Sequence, residues 1–161
     1  MVHVRAQRSF PFFKIVLVTN ATGLDKEPVQ RSFKLFTRHD EIWAKLDAGT
    51  QGYMERVNRP TVPLEKVLEN ILLVGRQRPV VIQSLFPLVD GRQPLADEIE
   101  QYIRRLKELK EGGAMISLVQ IYSAARPMAG GQGHCGHLPL QSLSAIARAI
   151  RAATGLRAEV F

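Results

Sequence analysis

The stretch EIWAKLDAGT, Glu41 to Thr50, places an ammonium and a carboxylate two positions apart, at Lys45 and Asp47, after an apolar start with Ile42 and Trp43. Side chains alternate along a strand, so Lys45 and Asp47 share a face with Trp43. Charged residues are rarely fully buried unless they are paired or hold something. Three other apolar runs show the same change of character. Val16, Val18 and Asn20 share a face in KIVLVTN, as do Val81, Gln83 and Leu85 in PVVIQSLF, and Leu118, Gln120 and Tyr122 in MISLVQIYSA. Each set is apolar early and turns polar near its carboxyl end. An ammonium, a carboxylate, amides and a phenol brought together there can hydrogen-bond a polar, charged ligand. The plainer alternative is that Lys45 and Asp47 pair only with each other and seal the interior, while the glutamines satisfy backbone groups. Arg126, in SAARP after the fourth run, is placed for a carboxylate or phosphate, or else caps the preceding structure.

GHCGH, Gly133 to His137, brings two histidines and the cysteine close together. Zinc sites draw four ligands from two separated pairs, and no second pair lies nearby. The segment reads as a glycine-flanked loop, and no metal ligands are assigned. His3 and His39 stand alone and read as surface residues. There is no nucleophile elbow, no Walker loop, no serine-hydrolase triad and no Gly-x-Gly-x-x-Gly turn after the first strand.

The elements that must position these residues alternate. Lys14–Asn20, Glu41–Asp47, Pro79–Phe86 and Met115–Ala124 read as strands, and LRAEVF as a short terminal strand. Helices are expected over Glu27–Phe36, with Pro28 in the first turn, over Leu64–Arg76, over Pro94–Gly113 and over Leu140–Gly155. Pro94–Gly113 starts with acidic residues and ends in lysines and Gly-Gly, which complements its dipole. A short helical turn is expected after GTQGYMERVNRP, ended by the Pro60 and Pro63 pair, and PLVDGRQP reads as a loop. Strands alternating with helices mean βαβ units and a parallel sheet, wound doubly or as a barrel. Such sheets bind ligands at the carboxyl ends of their strands.

With 161 residues, 45% of them hydrophobic and 23% charged, the chain suits one domain with a real core. Its apolar runs are far too short to cross a bilayer. The opening MVHVRAQRSFPFFKIVLV is basic and then apolar like a signal peptide, but Pro11 and Lys14 interrupt it. A single cysteine excludes a disulfide framework and fits the cytoplasm. The net charge of +7 suits an anionic partner such as nucleic acid, although the arginines are scattered and equally suit solvated helix faces.

KIVLVTNATG, KLDAGTQGYMERVNRP, VIQSLFPLVDG and VQIYSAARP, in that order, resemble the later strands of radical S-adenosylmethionine (radical SAM) enzymes. They look most like the iron–sulfur oxidoreductases similar to wyosine-type tRNA-modifying synthases. The resemblance runs from about Lys14 to Phe161; residues 1–13 match nothing and form an unplaced segment. It implies a partial parallel (β/α) barrel over 14–161, with about four βα units and a short terminal strand. The family's cofactors are S-adenosylmethionine and a [4Fe–4S] cluster. By resemblance, Asn20 lies near the cofactor, and Lys45 and Asp47 help to hold its ribose or methionine part. Gln83, Gln120, Tyr122 and Arg126 follow on the next two strands.

The departures carry expectations of their own. The family's Cys-x3-Cys-x2-Cys loop and its Gly-Gly-Glu segment are absent, and Cys135 falls after the last major strand. Cluster irons need thiolates, so the cluster is not expected on this chain, nor radical catalysis by it alone. The match starts at the family's third strand, which implies a truncated barrel and a missing amino-terminal half as a partner. A half-open barrel would expose a strand edge and an apolar inner face, favouring self-association. The other readings are a non-catalytic module of the same fold that binds a nucleoside or an RNA such as tRNA, and an inert gene fragment.

Overall fold

The computed structural model describes residues 14–58, 60–124 and 135–161. Five strands form one parallel sheet: β1 (Val16–Thr19), β2 (Glu41–Lys45), β3 (Val80–Leu85), β5 (Ile116–Tyr122) and β7 (Ala158–Val160), in the order β1-β2-β3-β5-β7. A separate antiparallel pair joins β4 (Leu88–Val89) to β6 (Cys135–Gly136). The helices among the described residues are α1 (Glu27–Phe33), α2 (Gln51–Val57), α3 (Leu64–Gly75), α4 (Ala96–Glu111) and α5 (Leu140–Thr154).

Each new strand of the sheet adds beside the previous one, on the same side. A doubly wound sheet reverses direction at a switch point; this one does not. Right-handed crossovers then carry all the connecting helices to one face, which is the winding of a partial (β/α) barrel. The helix stripes fit that face. Leu64, Val67, Leu68, Ile71 and Val74 of α3 are buried, as are Tyr102, Leu106 and Leu109 of α4 and Leu143, Ile146, Ala147 and Ile150 of α5. They meet Ile42, Ala44, Val80, Ile82, Val119, Ile121 and Ala158 from the strands in one core. Tyr102 is fully buried, with its hydroxyl 2.6 Å from Ser84 Oγ and its ring edge-on to Phe86.

The expected boundaries shift by a few residues. The helical turn expected after GTQGYMERVNRP lies inside that stretch, as helix α2, whose first turn is capped by Thr50 Oγ1 accepting from Tyr53 N. PLVDGRQP is not all loop: Leu88 and Val89 pair with Gly136 and Cys135, and Asp90-Gly91 makes a tight turn back to Arg92. Gly155 closes α5 in the left-handed region at φ 68°. No helix among the described residues is long and apolar enough to cross a membrane.

Candidate functional site

The strand register assembles a polar row. Lys45 stands opposite Gln83, Gln83 opposite Gln120, and Gln120 opposite Glu159. One layer below, Val18, Trp43, Val81 and Leu118 align in the same way. The face directed away from the helices therefore changes from apolar to polar near the carboxyl ends of the strands.

Lys45 is the hub of this row. Its ammonium donates to Tyr122 Oη at 2.8 Å, reaching across β3, and lies 3.3 Å from Asp47 Oδ2. Burial pushes the Lys45 ammonium down, but the Asp47 carboxylate and the Tyr122 hydroxyl outweigh it and the net shift is upward. Lys45 is thus a fixed cation. Two of its three N–H groups are engaged among the described residues, which leaves one for a ligand.

Asp47 is occupied from both sides. Its Oδ1 accepts from Leu85 N at 2.8 Å, tying the end of β2 to the end of β3, and its Oδ2 accepts from Asn58 Nδ2 at 2.9 Å. Its side chain is 1% exposed. Asp47 therefore acts through Lys45, which it holds and keeps charged. Gln83 Nε2 donates to Gln120 Oε1 in a long contact of 3.4 Å. The outer amide atoms, Gln83 Oε1 and Gln120 Nε2, have no partner among the described residues and can meet a ligand.

Asn20 sits in the turn after β1. Its Oδ1 accepts from Thr22 N and Thr22 Oγ1. The next residue, Ala21, adopts φ 62°, a left-handed conformation unusual for a residue with a Cβ. It is fully buried and held there: its N–H donates to Thr19 Oγ1, and its carbonyl accepts from Asn70 Nδ2 at 2.8 Å. Such strain persists only where neighbours impose it, and it gathers at binding sites. Asn20, Thr22, Lys45, Asp47, Asn58 and Thr61 line one cleft of about 220 Å³. That is below the volume which encloses a whole drug-sized ligand, so the cleft seats part of one.

The loop after β2 is fixed from outside. Glu98 of α4 is buried and accepts from Gly49 N at 2.5 Å and from Thr50 Oγ1 at 2.5 Å. Only glycine fits at position 49, because a Cβ there would lie 2.1 Å from Tyr102 N.

The structure thus brings Lys45, Asp47, Gln83, Gln120 and Tyr122 together, with Asn20 across the cleft. Arg126 lies outside the described residues, as does His134 of GHCGH; Cys135 is part of β6. Sequence reasoning missed Glu159, which ends the row and is paired with Arg157 at 2.6 Å, and also Asn58 and Glu98. The alternation in Ala158–Val160 is a faint signal for Glu159; none marks the other two.

No family model and no curated protein matches this sequence. Among solved structures, the fold is similar to a radical SAM methyltransferase from Sphaerobacter thermophilus, with 18% sequence identity and a TM-score of 0.63 over 100% of this chain. The chain spans 45% of the length of that protein. At that identity the likeness is one of fold, and the fold of this chain is similar to part of a radical SAM enzyme.

Proposed function

We propose that this chain is a radical SAM-type domain, of the kind similar to wyosine-type tRNA-modifying synthases, and that its polar row forms one wall of an S-adenosylmethionine site. The observation that carries the reading is the Lys45–Gln83–Gln120–Glu159 register at the carboxyl ends of a singly wound parallel sheet. The donor set fits the cofactor's polar parts. The free N–H of Lys45 suits the methionine carboxylate, and the outer amides of Gln83 and Gln120 suit ribose hydroxyls. Asn20 lines the same cleft as Lys45, the Tyr122 hydroxyl accepts from the Lys45 ammonium, and Asp47 keeps Lys45 charged and in place. Bound S-adenosylmethionine supplies an activated sulfonium; the residues here bind and orient it.

The cluster does not fit. The sequence holds one cysteine, so it offers one thiolate, and the described residues contain no group of three or more His, Cys, Asp or Glu side chains able to hold a metal. The reading places the cluster ligands on a further part of the barrel that completes the open face.

Iron-free calorimetry with S-adenosylmethionine and S-adenosylhomocysteine tests it. The reading expects saturable binding of both that is lost in Lys45→Met; heat that is absent, or unchanged by that substitution, would contradict it. The net charge of +7 favours a second reading, an RNA-binding module without catalysis. Salt-sensitive tRNA binding that persists in Lys45→Met would favour it.

A further inference from the structure

A second cleft, of about 380 Å³, lies between helix α2 and the turn that follows β4. Its lining includes Tyr53, Arg56, Asp90, Arg92 and Gln93. Tyr53 is 3% exposed, yet its Oη has no hydrogen-bond partner among the described residues. A buried hydroxyl left unpaired costs about 1–3 kcal/mol, so such an atom calls for an explanation. Burial and the nearby Glu98 carboxylate push the Tyr53 phenol up, so it remains a hydrogen-bond donor.

Two cations line the same cleft. The Arg56 guanidinium lies 5.4 Å from the centre of the Tyr53 ring. The backbone at Arg92 is set by a tight turn. Asp90 and Gly91 both take positive φ, 52° and 72°, and Val89 and Arg92 exchange backbone hydrogen bonds of 2.9 and 3.0 Å. This is the tight primed turn favoured by Asp-Gly, and it presents Arg92 at the cleft without a flexible loop. Neither arginine forms a salt bridge among the described residues. Asp90 also lines the cleft and has an interaction of its own, so the lining carries one formal positive charge in excess.

We propose that this cleft is a second site, which binds the oxyanion group of a small ligand, a carboxylate or a phosphate, through Arg56, Arg92 and Tyr53 Oη. A guanidinium offers paired donors to such a group, and a rigid phenol adds a third direction. The site is independent of the adenosylmethionine reading: it shares helix α2 with the first cleft but none of the residues that line it.

The test is an NMR titration of the full-length 15N-labelled chain with sodium phosphate and, separately, sodium succinate at constant ionic strength. At least one probe is expected to shift the resonances of 53–56 and 92–93 and to saturate. Arg56→Gln and Arg92→Gln should each weaken binding about tenfold, the loss of one charge-assisted contact. Tyr53→Phe should weaken it a few-fold without lowering the melting temperature, since no protein hydrogen bond is lost. Tighter phosphate binding would indicate a phosphorylated ligand, and tighter succinate binding a carboxylate. Failure of both probes to saturate by about 50 mM would overturn the proposal. So would equal weakening by the exposed, distant Lys107→Gln, which would mean diffuse charge.

Discussion

Lys45 and Asp47 answer a question that the sequence leaves open, whether such a pair seals the interior or faces a ligand. They do pair, but Asp47 is enclosed while Lys45 keeps 28% of its side chain exposed and one donor unengaged. The two substitutions should therefore differ. Lys45→Met should abolish cofactor binding at a cost of about 1–3 kcal/mol in stability, from the lost charged hydrogen bonds. Asp47→Ala also strands the Leu85 N–H and the Asn58 amide, and should cost about 2–4 kcal/mol by chemical denaturation. The pH dependence follows the sign of the Lys45 shift. Its pKa is raised above the ordinary 10.5, so its contribution to stability is complete below that pH and is lost as pH rises through the folded value. Melting scans above pH 10.5 should show a decline in wild type that is smaller in Lys45→Met. An identical decline in both would remove Lys45 as its cause.

At the scale of elements, the site rests on contacts between segments far apart in the chain. Glu98 on α4 fixes Gly49 and Thr50, and the closeness of α4 to the loop requires glycine. Gly49→Ala should destabilise by about 3 kcal/mol, because backbone rather than a flexible side chain must move. It should also displace α2 and weaken ligand binding. A full-stability Gly49→Ala variant would show that the loop can shift freely. The long elements were legible in the sequence because their periods repeat: α3, α4 and α5 carry apolar stripes, and β2, β3 and β5 alternate. Glu159 was not, since a three-residue strand shows too little alternation. The β4–β6 pairing was not either, since two-residue strands have no period and their pairing is set by tertiary contact. Asn58 and Glu98 look like ordinary helix-surface residues until packing brings them to Asp47 and Gly49.

For the whole molecule, the sheet is covered by helices on one face, while Val16 and Val18 on the other are 39% and 53% exposed. Among the described residues β1 pairs only with β2, at the end of the strand order. Apolar strand faces and unpaired edges favour association. Sedimentation equilibrium should show self-association that Val18→Thr reduces. A strictly monomeric profile with a sharp, cooperative melt would show that the face is stable when open. The alternation of strands and helices leaves a doubly wound sheet and a barrel both open; the sequential strand order decides for the barrel winding, and the polar row required the register. A row that crosses four strands is a property of the sheet, not of any one segment.

The most direct measurement is a titration of the 15N-labelled chain with S-adenosylmethionine in the absence of iron, following the side-chain amides of Gln83 and Gln120. Both amides should shift with one saturation curve, and neither should do so in Lys45→Met. Amides that stay still while the ligand binds elsewhere, or a ligand that does not bind at all, would contradict it.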